Sequence, residues 1–281
     1  MTDFTLTKET NGIATIIWDC EGKAMNIMTI DALQALNGLI DTALADDAIK
    51  GIIITSAKPD FAAGMDLNVL GAMTSYAGHT PANALFSAIS GIHAMLRKIE
   101  RAGMDPQTNK GGKPIASVLP GTALGIGYEL PLATHRIFAA TNPKAKIGLP
   151  EIMIGIFPGA GGTTRLTRKM GAMAAAPYLL EGKTLSPQKA KSAGLVDVVC
   201  DDPMAEARAW VLQAKDADLV KPWDTKGYKM PGGTPYHPAG FMTFVGASAM
   251  INGKTQGAFP AAKALLSTVY EGALVDFDTA L

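Results

Sequence analysis

Pro114-Ile115-Ala116-Ser117-Val118-Leu119-Pro120-Gly121-Thr122-Ala123-Leu124-Gly125-Ile126-Gly127-Tyr128-Glu129-Leu130-Pro131-Leu132-Ala133 is the stretch that decides how this chain folds. Its opening part, Pro114 to Leu119, is apolar, as in a strand buried on both faces. Gly121 to Gly127 is a turn of small residues, and Tyr128 to Thr134 begins a helix. A strand that passes through glycines into a helix is the unit of an α/β fold. Glu129 stands in this apolar, glycine-rich setting with no lysine or arginine beside it. A carboxylate buried without a partner is costly, and such groups often serve acid–base chemistry. Glu129, the internal Pro120 and Pro131, and the glycines also make this stretch a poor transmembrane helix.

Upstream the same grammar repeats. Ile13 to Trp18 reads as a β-branched strand. Asp31 to Ala45 carries Leu33, Leu36, Leu39, Ile40 and Leu44 near helical spacing, with Thr29 as a cap. Gly51 to Ser56 is a second buried strand. Strand, helix, strand in that order predicts a crossover and a parallel sheet. Phe61-Ala62-Ala63-Gly64-Met65-Asp66-Leu67 then forms a small-residue loop entering a helix, and Leu85 to Arg101 is amphipathic.

Downstream, Arg136 to Ala140 is another strand. Gly148-Leu149-Pro150-Glu151 holds a second glutamate in an apolar, glycine-bounded setting. Pro158-Gly159-Ala160-Gly161-Gly162 turns into a helix, and a second helix runs from Ala172 to Leu180. Ser186 and Pro187 start a further helix, and Gly194 to Val199 is the last strand. Beyond residue 200 the pattern is helical, broken by a proline- and glycine-rich loop at Tyr228 to Gly240. A catalytic core over 1–200 and a helical region over 201–281 follow from this pass.

Two strand-to-helix junctions, Phe61–Leu67 and Gly121–Gly127, are alike in kind. Each exposes backbone N–H groups with a helix dipole behind them. Two such groups aimed at one point make an oxyanion hole. Taken singly, each loop reads as an ordinary turn, and Glu151 after Pro150 reads as a first-turn residue favoured by the dipole. Two glutamates together with two loops point to acid–base chemistry on a polarised carbonyl.

Other chemistries find no support. His79, His93, His135 and His237 are scattered, without metal spacing. No Gly-x-Ser-x-Gly elbow occurs. Gly125-Ile126-Gly127 lacks the third glycine of a dinucleotide fingerprint, and Pro158–Gly162 lacks the Lys-Ser/Thr ending of a phosphate loop. The 281 residues are 48% hydrophobic and 18% charged, with 25 basic and 25 acidic residues and no basic stripe. That balance argues against a nucleic-acid partner and for an oligomer or buried interface. Cys20 and Cys200 build no disulfide framework, and Met1 to Lys8 has no signal-peptide core, so a cytoplasmic location is expected without membrane insertion.

On these motifs the chain resembles the crotonase superfamily, and within it the enoyl-CoA hydratases. Phe61–Leu67 is similar to the family's first oxyanion loop, Gly121–Leu130 to the second loop with its catalytic glutamate, and Gly148–Glu151 through Pro158–Leu166 to the second glutamate and its glycine turn. Matching motifs continue to Val199. Trp223–Gly233 and Lys254–Ala262 resemble the hydratase half of multifunctional fatty-acid oxidation proteins, where a 3-hydroxyacyl-CoA dehydrogenase part follows.

The resemblance implies a spiral of ββα units with C-terminal helices. It implies hydration of 2-trans-enoyl-CoA, with Glu129 activating water and Glu151 supplying a proton. Backbone N–H groups of Met65 and Ile126 would hold the thioester oxygen. Ala63, Gly64, Asp66, Leu67, Gly125, Tyr128, Pro158 and Gly159 would contact substrate, and Met73 could narrow the acyl pocket. No metal and no cofactor is implied, because CoA belongs to the substrate. Partners would be a homotrimer or homohexamer, or a thiolase in a multienzyme complex. Relatives often carry glycine at Ile126, and isoleucine suits that position only at ordinary φ. Enoyl-CoA isomerase activity, or non-catalytic acyl-CoA binding, are the competing expectations.

Overall fold

The computed structural model describes residues 3–73 and 81–281; the side chain of Met73 and all of His79 lie outside the described residues. In chain order the elements are β1 (Phe4–Lys8), β2 (Ile13–Trp18), α1 (Ile30–Ala45), β3 (Gly51–Ser56), α2 (Leu67–Met73), α3 (Pro81–Arg101), β4 (Ile115–Leu119), β5 (Ala123–Leu124), α4 (Ile126–Ala133), β6 (Arg136–Ala140) and β7 (Ile147–Gly148). A 3-10 turn at Pro150–Ile154 is followed by α5 (Gly162–Met170), α6 (Ala172–Leu179), α7 (Pro187–Ser192), β8 (Val198–Cys200), α8 (Pro203–Gln213) and α9 (Asp216–Leu219). After a second 3-10 turn at Pro222–Asp224 come α10 (Pro238–Thr255), α11 (Pro260–Gly272) and α12 (Phe277–Ala280). The fold is α/β.

The chain divides into two compact units, Met1–Ile147 with Leu185–Val220, and Gly148–Thr184 with Lys221–Leu281. This division does not run at residue 200. The segment that carries Glu151 groups with the C-terminal helices, for reasons given below.

The first unit is built on a six-stranded sheet in the order β1-β2-β3-β4-β6-β8. β1 is antiparallel to β2, and every other pairing is parallel. The register sets Ile13 beside Gly51 and Ile52 beside Ile115. Parallel strands need long crossovers, and α1 supplies the first. Thr29 caps α1 by accepting a hydrogen bond from the Ala32 N–H at 3.1 Å. Leu33, Leu36 and Ile40 turn inward. On one side Ala207 and Val211 of α8 pack with Ile13, Ile53, Ala116, Val118 and Phe138. Phe4, Trp18 and Phe61 form an aromatic cluster, stacked at 5.0 Å and then edge-on at 5.9 Å.

Several elements differ from the sequence pattern, two of them for clear reasons. β1 was not foreseen, because Phe4-Thr5-Leu6-Thr7-Lys8 has only two apolar residues and gains its ladder from β2. The last strand starts at Val198 rather than Gly194, because the N–H groups of Leu195 and Val196 both turn back to the Ala190 carbonyl.

Lys113 follows a polar loop, yet its Nζ donates to the carbonyls of Ala43, Leu44 and Asp46 at 2.7 to 3.0 Å. A cation there meets the negative end of the α1 dipole and satisfies carbonyls left open at the helix terminus. Burial pushes the Lys113 ammonium below its usual range, while Asp47 and Asp46 oppose that shift.

The second unit is anchored on α5. Arg165 is fully buried, donates to the Ala160 carbonyl and lies over the Phe277 ring. Arg168 donates to the carbonyls of Gly272 and Val275, and the Thr164 hydroxyl donates to the Ala280 carbonyl at 2.9 Å. Trp223 stacks on Phe277. These contacts draw residues 221–281 onto the segment 148–184. Within this unit α6, α10 and α11 surround an apolar cavity of about 240 Å³, with Thr243 the one polar side chain in its wall. Among the described residues no helix is long and apolar enough to cross a membrane, and no cluster of His, Cys, Asp and Glu is placed to hold a metal.

Replacing Lys113 by methionine removes three hydrogen bonds at the end of α1. We expect a loss of about 1–3 kcal/mol in urea unfolding, from carbonyls left without a donor. The exposed pair of Lys8 with Asp46 is the control. Lys8→Met is expected to have a far smaller effect, because exposed ion pairs contribute little.

Candidate active site

The site in the first unit is assembled from two strand ends. Ala62 and Ala123 form an isolated parallel bridge. The N–H groups of Phe61 and Ala62 donate to the Thr122 carbonyl, and the Leu124 N–H donates to the Ala62 carbonyl. Met65 and Ile126 each lie three residues past that bridge.

Around Met65, neighbouring backbone groups are occupied. The Ala63 N–H donates to the Asn26 carbonyl, the Met28 N–H to the Gly64 carbonyl and the Asp66 N–H to the Met28 carbonyl, each at 2.9 Å. The Met65 N–H has no acceptor among the described residues. Ile126 is the first residue of α4, so its N–H precedes the first intrahelical bond. The N–H groups of Tyr128 and Glu129 both go to the Gly125 carbonyl, and that of Ile126 has no acceptor among the described residues. Each loop therefore has an open donor at the same offset, and the N–H groups of Gly64, Gly125 and Gly127 beside them also have no acceptor among the described residues.

The backbone explains the isoleucine. Gly125, at φ 56° and ψ −132°, takes the conformation that only glycine adopts readily. Ile126 is not among the residues with positive φ, so its side chain brings no backbone strain. Gly127 is required for a different reason. A Cβ there would stand 2.6 Å from the Ala62 Cβ and 3.2 Å from its carbonyl oxygen. The two loops approach too closely for any side chain at that point.

Glu129 is buried on α4, 2% exposed and three residues beyond Ile126. Glu129 thus stands in the first turn of α4, the same turn whose first residue, Ile126, carries the open N–H. Tyr128 is fully buried, and its hydroxyl donates to the Leu195 carbonyl at 2.7 Å. That bond fastens α4 to the turn after α7. Gly64 and Gly125 are buried; Met65 and Asp66 are half-buried, and Ala63 and Leu67 are exposed.

Glu151, Pro158 and Gly159 belong to the second unit. Glu151 is half-buried in the 3-10 turn that starts at Pro150. Gly155, at φ 83°, ends that turn, and the Ile156 N–H donates to the Glu151 carbonyl. Pro158 is buried and Gly159 half-buried ahead of α5. The residues the structure gathers into one local site are thus Met65, Gly125, Ile126 and Glu129 with their loops. His135 is structural: its Nδ1 accepts from the Ile115 N–H at 2.8 Å. Asn26, which the sequence reading passed over, is fully buried against the first loop.

Comparison with known proteins bears on the family and the fold. The family model for enoyl-CoA hydratase/isomerase matches residues 100–217. A solved enoyl-CoA hydratase from Geobacillus kaustophilus HTA426 is 30% identical, with a TM-score of 0.63 over 76% of this chain and 74% of that one. An enoyl-CoA hydratase from Bacillus anthracis shares the fold, at 24% identity and a TM-score of 0.61 over 97% of this chain and 91% of that one. The fatty acid oxidation complex subunit alpha of Shewanella halifaxensis (strain HAW-EB4) is 31% identical over 272 residues, 96% of this chain. The chain spans 36% of the length of that relative. This chain belongs to the enoyl-CoA hydratase/isomerase family, within the crotonase superfamily.

Gly127→Ala tests the close approach. Adding one methyl forces the Ala62 and Ala123 strand ends apart, and overpacking of this kind costs about 1–3 kcal/mol. The expected result is a lower melting temperature than Gly38→Ala, where a Cβ meets nothing within 4 Å.

Proposed function

We propose that this chain catalyses the reversible hydration of 2-trans-enoyl-CoA to 3-hydroxyacyl-CoA in fatty-acid β-oxidation. The observation that carries the reading is the pair of open N–H donors, Met65 and Ile126, at equal offsets past one bridge, with the buried Glu129 in the first turn of α4. Both donors hold the thioester oxygen, where negative charge gathers as the double bond is attacked. Glu129 takes a proton from water as its oxygen bonds to Cβ. Glu151 gives a proton to Cα, and transfer of the first proton through solvent restores the pair. The net change is addition of one water, with no hydride or electron transferred, so the reaction calls for neither cofactor nor metal.

Support for the acyl-CoA substrate comes from family membership. Support for β-oxidation comes from the relative in a fatty acid oxidation complex. The name of that relative also speaks for a multienzyme complex over a homotrimer or homohexamer; a thiolase partner and a cytoplasmic location are part of the proposal. Ala63, Gly64, Asp66, Leu67, Gly125, Tyr128, Pro158 and Gly159 remain the proposed substrate neighbourhood. A purely binding role, argued from Ile126, loses its ground because that residue has ordinary φ.

The test is turnover of crotonyl-CoA, followed by loss of the enoyl thioester absorbance. Glu129→Gln and Glu151→Gln are each expected to lower kcat by about 10²-fold or more, the usual scale for lost acid–base catalysis. Wild-type turnover in either variant removes that residue from the mechanism. If Glu129→Gln loses hydration yet still moves the double bond of a 3-enoyl-CoA, the two activities are separable and isomerisation runs on Glu151.

A further inference from the structure

Asn26 lies in an irregular stretch between β2 and α1 and is fully buried. Its Oδ1 accepts from the Cys20 N–H at 2.9 Å. Its Nδ2 donates to the Trp18 carbonyl at 3.1 Å, the Ser56 hydroxyl at 2.9 Å and the Phe61 carbonyl at 2.9 Å. An amide nitrogen has two hydrogens, so one is shared between two of these acceptors. The Asn26 main-chain carbonyl takes the Ala63 N–H. One residue thus ties the ends of β2 and β3 to both sides of Ala62.

The network continues in two directions. Two residues on, Met28 bonds to Gly64 and Asp66 and brackets the Met65 peptide. Ser56, which accepts from Asn26, donates to the Asp60 carbonyl at 2.8 Å. The Asp60 carboxylate accepts from the Thr122 N–H at 2.6 Å, at the root of the second loop. Both loops are therefore held from the same buried carboxamide. A side chain at Phe61 or Ala63 is not what fixes them, because every bond here uses main-chain atoms of those residues.

We propose that Asn26 is the positioning residue of the oxyanion hole: its carboxamide sets the place of the Met65 N–H, and through Ser56 and Asp60 the spacing to Ile126. The proposal rests on the hydratase reading above. No other residue type meets these requirements at this site. An aspartate keeps the acceptor for Cys20 but turns a negative oxygen toward the Trp18 and Phe61 carbonyls. An alanine leaves the Cys20 N–H and the Phe61 carbonyl without their Asn26 partners, and the Trp18 carbonyl with only the Ala57 N–H.

The test uses bound cinnamoyl-CoA, whose absorption moves to longer wavelength when its carbonyl is polarised, together with crotonyl-CoA kinetics. Wild type is expected to shift the band. Asn26→Asp and Asn26→Ala are expected to bind the probe within about threefold of wild type, to lose most of the shift, and to lose about 10²-fold in kcat, since a misplacement near 1 Å is enough for that. A purely structural role would lower the melting temperature and leave the band of the bound probe where it was. Should the Asn26 variants not fold, Ser56→Ala removes one link of the network, with a partial loss of the shift and about fivefold in kcat expected. A folded variant at Asn26, or failing that Ser56→Ala, with the full shift and full kcat overturns the proposal. Wild type that binds the probe with no shift overturns the oxyanion-hole reading itself, and that outcome is distinguishable because no variant enters it.

Discussion

The parallel bridge between Ala62 and Ala123 is the contact on which the site depends. It forces two chain segments from different parts of the sheet to run side by side for one residue and then diverge into separate helices. Everything small in the two loops serves that approach. Gly127 is small because the Ala62 methyl occupies the space where its Cβ would be. Gly121 is small because Pro59 and Asp60 close over it. Gly64, at φ 126°, and Gly125 are needed for their backbone angles, and by taking the unusual φ Gly125 lets α4 begin with a bulky isoleucine. The glycines of Gly121–Gly127 therefore answer two different constraints, distance at two positions and conformation at one.

Burial around this contact is polar as well as apolar. Asn26, Ser117 and Glu129 lie inside the first unit beside a sheet otherwise filled with isoleucine, alanine and valine. Polar groups in such places cost free energy unless they find partners, and Asn26 finds four through its side chain alone. A fully partnered buried network rigidifies what it touches. Rigidity is the property the proposed oxyanion hole needs, since such donors act by already being in place when charge develops.

The elements that were legible in the sequence are those whose signal is local. Thr29 ahead of a helical stripe, the runs Ile13–Trp18 and Gly51–Ser56, and the Pro187 helix start each carry their reason within a few residues. Both loops and Glu129 were legible for the same cause. Asn26 was not. In Glu21-Gly22-Lys23-Ala24-Met25-Asn26 it looks like one more polar turn residue, and its partners at Ser56 and Phe61 are 30 and 35 positions away. Lys113 was hidden in the same way, reading as the end of a surface loop while binding carbonyls some 70 residues earlier. The grouping of Glu151 with the C-terminal helices was out of reach because Arg165 and Arg168 find their acceptors more than 100 residues downstream or in their own turn. Tyr128 reads in the sequence as a substrate contact; the carbonyl of Leu195, 67 residues on, is what its hydroxyl requires.

The anchoring of the tail on α5 has an implication for sequence drift. Thr164 and Arg168 reach Ala280, Gly272 and Val275 only through peptide oxygens. Every amino acid supplies that atom, so the fastening is blind to side-chain identity along most of residues 272–280. Distant versions of this chain can vary the exposed positions among them, provided the helix lengths, the buried Ala273, the Asp276 cap and an aromatic ring where Phe277 meets Arg165 and Trp223 are kept. Homologous tails aligned by letters alone would look unrelated while docking in the same way.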